Sequence, residues 1–219
     1  LMKIYRVPKK LKTIVFDIDS TLYTNEAYVS HQSEVQLRRF ANVRGISEEK
    51  TRTMFDDYRS EWSKTHGGKK ISESNTLAAL GIPIETTVAW RNELIEPADF
   101  LSRDEKLIAV LQTLKKSYAL VCVTNNPVSV GCKTLSVLGV EDCIAYVIGL
   151  DTFGKSKPAR EPFEEAARRT EAAIEECLSV GDRYDIDIVL PLDLGMGGIL
   201  VDGVSDVYEL PNVLNFSRK

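Results

Sequence analysis

The stretch Thr13-Ile14-Val15-Phe16-Asp17-Ile18-Asp19-Ser20-Thr21-Leu22-Tyr23 changes character at one residue. An unbroken β-rich run gives way at Asp17 to two aspartates spaced i, i+2, then a serine and a threonine. A run of this kind suits a strand buried on both faces of a parallel sheet. The polar turn after it then lies at the strand's carboxyl end, where open α/β sheets bind ligands. As the chain leaves the strand, residues two apart share a side. The two carboxylates can therefore serve one reactant, one as nucleophile and one as proton donor. A merely solvated turn uses the same residue types, so the rest of the chain must decide.

Working outward, four more short apolar runs follow: 119–123, 144–148, 177–180 and 198–201. Helix-like segments separate them. Ser102 can cap a helix to about Lys116 with Leu107, Ile108, Leu111 and Leu114 on one face. Asn126-Pro127 reads as cap and first turn of a helix to about Leu138, stopped by Gly139, and Pro158 opens another. Strand–helix alternation predicts a doubly wound α/β parallel sheet. Between the first strand and the second lies far more chain than one crossover needs. Its spacing predicts helices over His31–Val43, Glu48–Thr65 behind Ser47, Ser72–Leu80 and Glu85–Ile95, punctuated by Gly67-Gly68 and Gly81-Ile82-Pro83. The expected division is an α/β core over 1–23 and 101–219, with a small helical domain over 24–100.

Every expected strand end carries a polar cluster. Thr124-Asn125-Asn126 offers a hydroxyl, an amide and free N–H groups at a helix start, the makings of an anion site. Lys155-Ser156-Lys157-Pro158 adds positive charge to it. Gly181-Asp182-Arg183-Tyr184-Asp185-Ile186-Asp187 supplies carboxylates opposite Asp17 and Asp19. So many acidic groups in one place repel one another unless a hard, oxygen-seeking cation such as Mg²⁺ joins them.

Composition narrows the classes. The 219 residues allow one large domain, or a core with an insertion, and 43 % hydrophobic with 27 % charged residues is ordinary for a globular chain. No apolar run approaches a membrane span. With 28 basic against 32 acidic residues, the net charge of −4 suits a small-molecule partner better than a nucleic-acid polymer. Nothing in the sequence bears on oligomeric state. The first ten residues have charge but no apolar h-region, so no signal peptide is expected. The four cysteines form no CxxC pair and no zinc spacing, which points to reduced thiols in a cytoplasmic protein.

Gly149-Leu150-Asp151-Thr152-Phe153-Gly154-Lys155-Ser156 fits G-x-x-x-x-G-K-[ST], the phosphate loop of nucleoside triphosphatases. Three features oppose that reading. Only about sixty residues remain for the sheet that should follow, Pro158 falls in the first turn, and Asp17, Asp19 and Thr124 are left without a role.

Taken together, Asp17-Ile18-Asp19-Ser20-Thr21, Thr124-Asn125, Lys157-Pro158 and Gly181-Asp182 with Asp187 resemble, in order, the four motifs of the haloacid dehalogenase superfamily. The resemblance covers about residues 11–23 and 101–205, and the first motif looks most like the branch of pyrimidine 5′-nucleotidases and phosphoglycolate phosphatases. The family carries its C1 cap where this chain has the 24–100 segment. Departures are Ser20 where Gly or Asn is commoner, Ala159-Arg160 after Lys157-Pro158, and Arg183 where Ser is usual. The resemblance implies a Mg²⁺-dependent phosphatase acting on a small phosphomonoester. It implies Asp17 as nucleophile, Asp19 as acid and base, and Thr124, Asn125 and Lys157 on the phosphoryl oxygens. Metal would fall to Asp17, Asp19 through its backbone carbonyl, Asp182 and Asp187. A phosphomutase would use the same residues, and a catalytically silent binding protein the same fold. Dehalogenation would need neither the Asp19 acid nor the metal. Within the insertion, His66, Lys69 and Lys70 beside Gly67-Gly68 are the expected substrate-selecting residues.

Overall fold

Strand β2 (Thr13–Phe16) is apolar on both faces because both faces are covered. Ile14 and Phe16 join one buried cluster with Leu120, Cys122, Leu178, Val180 and Ile199. Val15 joins another with Val121, Val123, Ile148 and Cys177. The computed structural model describes residues 2–216; residue 1 and residues 217–219, assigned to the core from sequence, lie outside the described residues.

Six strands form one sheet in the order β1-β6-β5-β2-β3-β4. They are β1 (Lys3–Arg6), β2, β3 (Ala119–Val123), β4 (Tyr146–Ile148), β5 (Cys177–Gly181) and β6 (Gly197–Leu200). All neighbours pair in parallel except β1, which runs antiparallel to β6. Strand β1 was not expected from sequence. Lys-Ile-Tyr-Arg is a short edge strand with Ile4 half exposed, and such charged edges lack the apolar run that marks a buried strand. The third expected strand, observed as β4, is shorter than its apolar run, because Ile144 and Ala145 still belong to the turn entering it.

One face of the sheet is covered by α5 (Glu105–Lys115), α6 (Val128–Leu138), α10 (Val204–Val207) and α11 (Leu210–Phe216), the other by α8 (Arg160–Arg169) and α9 (Val189–Leu194). Four helix starts differ from expectation; the first helix after β2 begins at Glu26 behind its Asn25 cap, five residues before the expected His31, and the other three pack on the sheet. Asp104, not Ser102, caps α5 by accepting from Leu107 N at 2.9 Å. Pro127 and not Asn126 occupies the cap of α6, which frees the Asn126 side chain for another task. Helix α8 begins at Arg160 rather than Pro158. The 4-residue α7 (Leu150–Phe153) lies just after β4.

Between β2 and α5 come α1 (Glu26–Arg44), α2 (Glu48–Thr65), α3 (Glu73–Ala79) and α4 (Ile84–Leu94). Asn25, Ser47 and Ser72 cap the first three through their side chains. These helices bury a cluster of their own, Phe40, Phe55, Leu77, Ile82 and Trp90. Tyr28 at the base of α1 instead joins the sheet's cluster and packs on Phe100.

The register places the chemistry. Phe16 pairs with Cys122 on one side and Val180 on the other. The residues just beyond these positions, Asp17, Thr124 and Asp182, therefore emerge together. This is where strand order reverses about β2, the crevice such sheets use for ligands.

Candidate active site

Asp17 leaves β2 almost fully buried, fixed by its N–H to Val180 O at 2.9 Å. Lys157, also buried, reaches its Oδ1 at 2.7 Å and Asp187 Oδ1 at 2.6 Å. Asp187 arrives on a π-helical turn over Tyr184–Ile188, and its Oδ2 accepts from Arg183 N at 3.1 Å. That turn presses on Gly181, where a Cβ would stand 2.4 Å from Asp187 Cβ. Only a residue without a side chain lets the carboxylate come so close.

One carboxylate oxygen from each of Asp17, Asp182 and Asp187 lies within 4.8 Å of the others. Burial pushes the Asp17 carboxyl up to about 8, with Lys157 opposing and Asp187 adding to the rise. Asp182 is raised as well, by burial and by Asp187. Burial alone would lower Lys157, but Asp17 and Asp187 reverse that and hold it above its ordinary value. Two buried oxygens in the cluster, Asp17 Oδ2 and Asp182 Oδ1, have no hydrogen-bond partner. Buried acceptors left open are costly. An all-oxygen cluster with two open acceptors fits a hard divalent cation.

The donor side is built from β3's end. Asn125 Oδ1 accepts from Lys157 N at 2.7 Å, which aims its Nδ2 elsewhere, buried and without a partner. Thr124 Oγ1 accepts from Asn126 N at 3.0 Å and stands 3.5 Å from Asp19 Oδ2. Ser20, between the carboxylate turn and Thr21, sits at φ 58°. That left-handed backbone accounts for the commonness of Gly and Asn at this position.

The Asp19 carboxylate turns away from the acidic cluster. Its Oδ1 accepts from Tyr23 OH at 2.5 Å and Gln32 Nε2 at 2.9 Å; its Oδ2 accepts from Asn126 Nδ2 at 2.9 Å. Asn126 Oδ1 in turn accepts from Arg91 Nη1 at 2.6 Å. Gln32, Arg91 and Tyr23 lie outside the strand-end candidates, and Asn126 reads from sequence as a helix cap at the anion cluster. One signal for Gln32 was present: Tyr28, Gln32, Gln36 and Phe40 recur every four residues, and all four are buried on α1.

A cavity of about 150 Å³ opens beside Asp19, Asn125, Asn126, Arg91, Gln32 and Asp182. A larger one of about 640 Å³ shares Ser72, Glu73, Asp182 and Arg183 with it and reaches Arg59, Lys69 and Lys70. His66 does not line either. It stacks on Trp62 at 3.9 Å, and its Nδ1 lies 2.8 Å from Trp62 O, so the structure does not bring it to the cavities with Lys69 and Lys70. A helix-end histidine on an aromatic neighbour has satisfied itself locally.

The Gly149–Ser156 phosphate-loop reading fails. Helix α7 fills the segment, Lys155 pairs with Glu161 at the surface, and Ser156 bonds Ser72 Oγ at 2.8 Å. Lys157, two positions on, is the lysine that enters the site.

This chain is similar to known proteins over most of its length. Glyceraldehyde 3-phosphate phosphatase of Methanothermobacter thermautotrophicus is 28 % identical over 205 residues, covering 88 % of this chain and 86 % of that protein. The 5-amino-6-(5-phospho-D-ribitylamino)uracil phosphatase of Escherichia coli is 25 % identical over 216 residues, covering 89 % and 85 %. Among solved structures, a phosphatase of the same superfamily from Thermococcus onnurineus superposes with a TM-score of 0.61 at 20 % identity, covering 95 % of this chain and all of that one. That likeness shows the shared fold. Residues 11–189 match the haloacid dehalogenase-like hydrolases, and the chain belongs to that family.

Proposed function

We propose that this hydrolase is a phosphatase that cleaves a small phosphomonoester through an aspartyl-phosphate on Asp17. The observation that carries the reading is the set of buried atoms at the strand ends that lack a hydrogen bond. Asp17 Oδ2 and Asp182 Oδ1 are open acceptors, and Asn125 Nδ2 is an open donor. A cation completes the first two and a phosphoryl oxygen the third. Both curated relatives above are named as phosphatases. The motif resemblance favours the nucleotidase and phosphoglycolate branch.

Mg²⁺ fits the oxygens of Asp17, Asp182 and Asp187, with the Asp19 backbone carbonyl as the further ligand, and it would offset the charge of phosphate beside carboxylate. The Asp17 carboxylate attacks phosphorus while Lys157, bonded to its Oδ1, keeps the nucleophile oriented. Asn125 Nδ2, Thr124 and Lys157 hold the phosphoryl oxygens where charge spreads. Asp19 gives its proton to the leaving alkoxide, then takes one from the water that hydrolyses the acyl phosphate.

The helices over 24–100 act as a cap domain that screens the acyl phosphate from water. Lys69 and Lys70, which line the larger cavity, meet the leaving group. Phosphate release across sugar phosphates, nucleotides and phosphoglycolate, with and without Mg²⁺, is the test. Turnover of at least one ester, lost on chelation, is expected. Release that persists after rigorous chelation, or none from any ester with Mg²⁺ present, refutes the reading.

A further inference from the structure

Asp19 is gripped by a chain of side chains that starts in the inserted helices. The bonds have a direction. Arg91 on α4 is a guanidinium, so it can only donate. Its Nη1 lies 2.6 Å from the Asn126 side-chain oxygen. That fixes which way the Asn126 amide faces. Its Nδ2 must then point the other way, and it does, donating to Asp19 Oδ2 at 2.9 Å and Gln32 Oε1 at 2.8 Å. With its oxygen taken, Gln32 on α1 presents its own Nε2 to Asp19 Oδ1 at 2.9 Å and to Tyr23 OH at 3.1 Å. Each amide could face either way in isolation; the arginine at the end selects one.

Arg91 itself is held. It is 7 % exposed, and Glu73 Oε1 stands 3.8 Å from its Nη2. Gln36, one turn beyond Gln32 on α1, donates to the same Glu73 oxygen at 2.7 Å. Neither Gln32 nor Arg91 lies in a strand-end motif, and both line the small cavity where a leaving group would sit.

We propose that Gln32 and Arg91 are positioning residues for proton transfer by Asp19: they set the direction of the Asn126 and Gln32 amides and so fix where the Asp19 carboxyl points. The inference rests on the phosphatase reading. In that reaction the P–O bond to the leaving group breaks as the Asp19 O–H bond breaks, and the proton goes to the departing oxygen. The water that later cleaves the acyl phosphate returns a proton to Asp19. A correctly placed acid matters when the leaving alkoxide is strongly basic. It matters little for p-nitrophenolate, which leaves without a proton.

The leaving group is therefore the readout. We take the ratio of kcat/KM on the fastest alkyl ester among glycerol 2-phosphate, ribose 5-phosphate and phosphoglycolate to kcat/KM on p-nitrophenyl phosphate, because kcat also contains the acyl-phosphate hydrolysis that all esters share. The ratio is internal to each preparation, so a partly folded variant does not distort it. Gln32→Leu and Arg91→Met should lower it about tenfold, part of the ~10²–10⁴ that a positioned acid supplies. Arg91→Lys keeps a donor for Asn126 and should stay within about threefold of wild type. Unchanged ratios in Gln32→Leu and Arg91→Met overturn the proposal, as does an Arg91→Lys ratio as low as that of Arg91→Met. Asp19→Asn tells the two levels apart. A collapsed ratio in Asp19→Asn with normal ratios in Gln32→Leu and Arg91→Met refutes positioning alone. An unchanged ratio in Asp19→Asn refutes proton transfer by Asp19 and this proposal with it.

Discussion

Replacing Lys157 by Met should expose the cost of the acidic cluster. The ammonium is bonded to Asp17 at 2.7 Å and Asp187 at 2.6 Å, with all three side chains about 2 % exposed. Methionine fills similar volume without charge, so the loss is electrostatic rather than a cavity. Breaking a buried pair by removing one partner costs ~3–5 kcal/mol. An independent route gives the same size. Asp17 is already pushed up to about 8 with the lysine in place, so without it a second carboxyl of the cluster must take up a proton. Against an ordinary value of 3.8, holding a carboxyl protonated at about pH 7.5 costs roughly 5 kcal/mol at ~1.4 kcal/mol per pH unit. At about pH 5.5 the same step costs roughly 2 kcal/mol. The sign follows: the variant's folded state binds more protons than its unfolded state, so its stability falls as pH rises. Urea unfolding in chelator at both pH values measures this. The deficit against wild type should be about 3–5 kcal/mol at the higher pH and at least ~1 kcal/mol smaller at the lower. A deficit under ~1 kcal/mol at the higher pH, or one that does not change with pH, would show that Lys157 does not neutralise this cluster.

Four further outcomes follow from the same geometry. Asp17→Asn should abolish turnover yet leave the protein folded, since the amide fills the same space without the attacking oxygen; a folded variant keeping more than about a hundredth of wild-type activity refutes covalent catalysis by Asp17. Burial raises Asp17 to about 8, so metal-free protein loses that group's contribution as pH climbs from 3.8 to about 8, while a cation needs the ionised form. The Tm gain from added Mg²⁺ should therefore grow between about pH 6 and 8, and a gain independent of pH would sink the ligand assignment. Gly181→Ala puts a methyl 2.4 Å from Asp187 Cβ; it should cost about 1–3 kcal/mol in urea unfolding and weaken Mg²⁺ binding by calorimetry, and wild-type values for both would show that the turn yields freely. Replacing Lys69 and Lys70 by Ala should lower kcat/KM on the preferred ester and spare p-nitrophenyl phosphate; equal loss on both esters, or no loss, removes these lysines from substrate selection.

The legible parts of this protein are those in which one sequence signal has one physical cause. Runs such as Thr13–Phe16 and Ala119–Val123 are buried on both sheet faces, so their continuity predicts a central strand. The acidic and basic groups at strand ends face no competing role, and Asp17, Lys157, Asp182 and Asp187 do converge. What was not legible has another cause. Asn126 beside Pro127 carries a helix-start signal, yet proline takes the cap and tertiary partners claim the amide. Gln32 and Arg91 lie on helices whose chemistry depends on which turn faces the sheet, a matter settled by packing. His66 and Lys69 are close in sequence, yet only Lys69 lines the larger cavity, because Trp62 captures the imidazole.

The inserted helices meet the rest of the molecule in two different materials. Near the foot of α1, Tyr28 sits among Tyr23 and Phe100 in the sheet's apolar cluster. Farther out the contacts are polar: Arg91 and Gln32 to Asn126, Ser72 to Ser156, Asn92 to Ser129, Glu96 to Lys133. Parting an apolar contact wets hydrocarbon at ~25 cal/mol per Å². Parting a hydrogen bond exchanges one partner for water, at a net ~0.5–1.5 kcal/mol. The seam is thus greased at one end and soluble at the other. A swing about Tyr28 would keep that apolar contact and exchange the polar bonds for water, which must first reach groups now buried, Arg91, Asn126 and Ser156 among them.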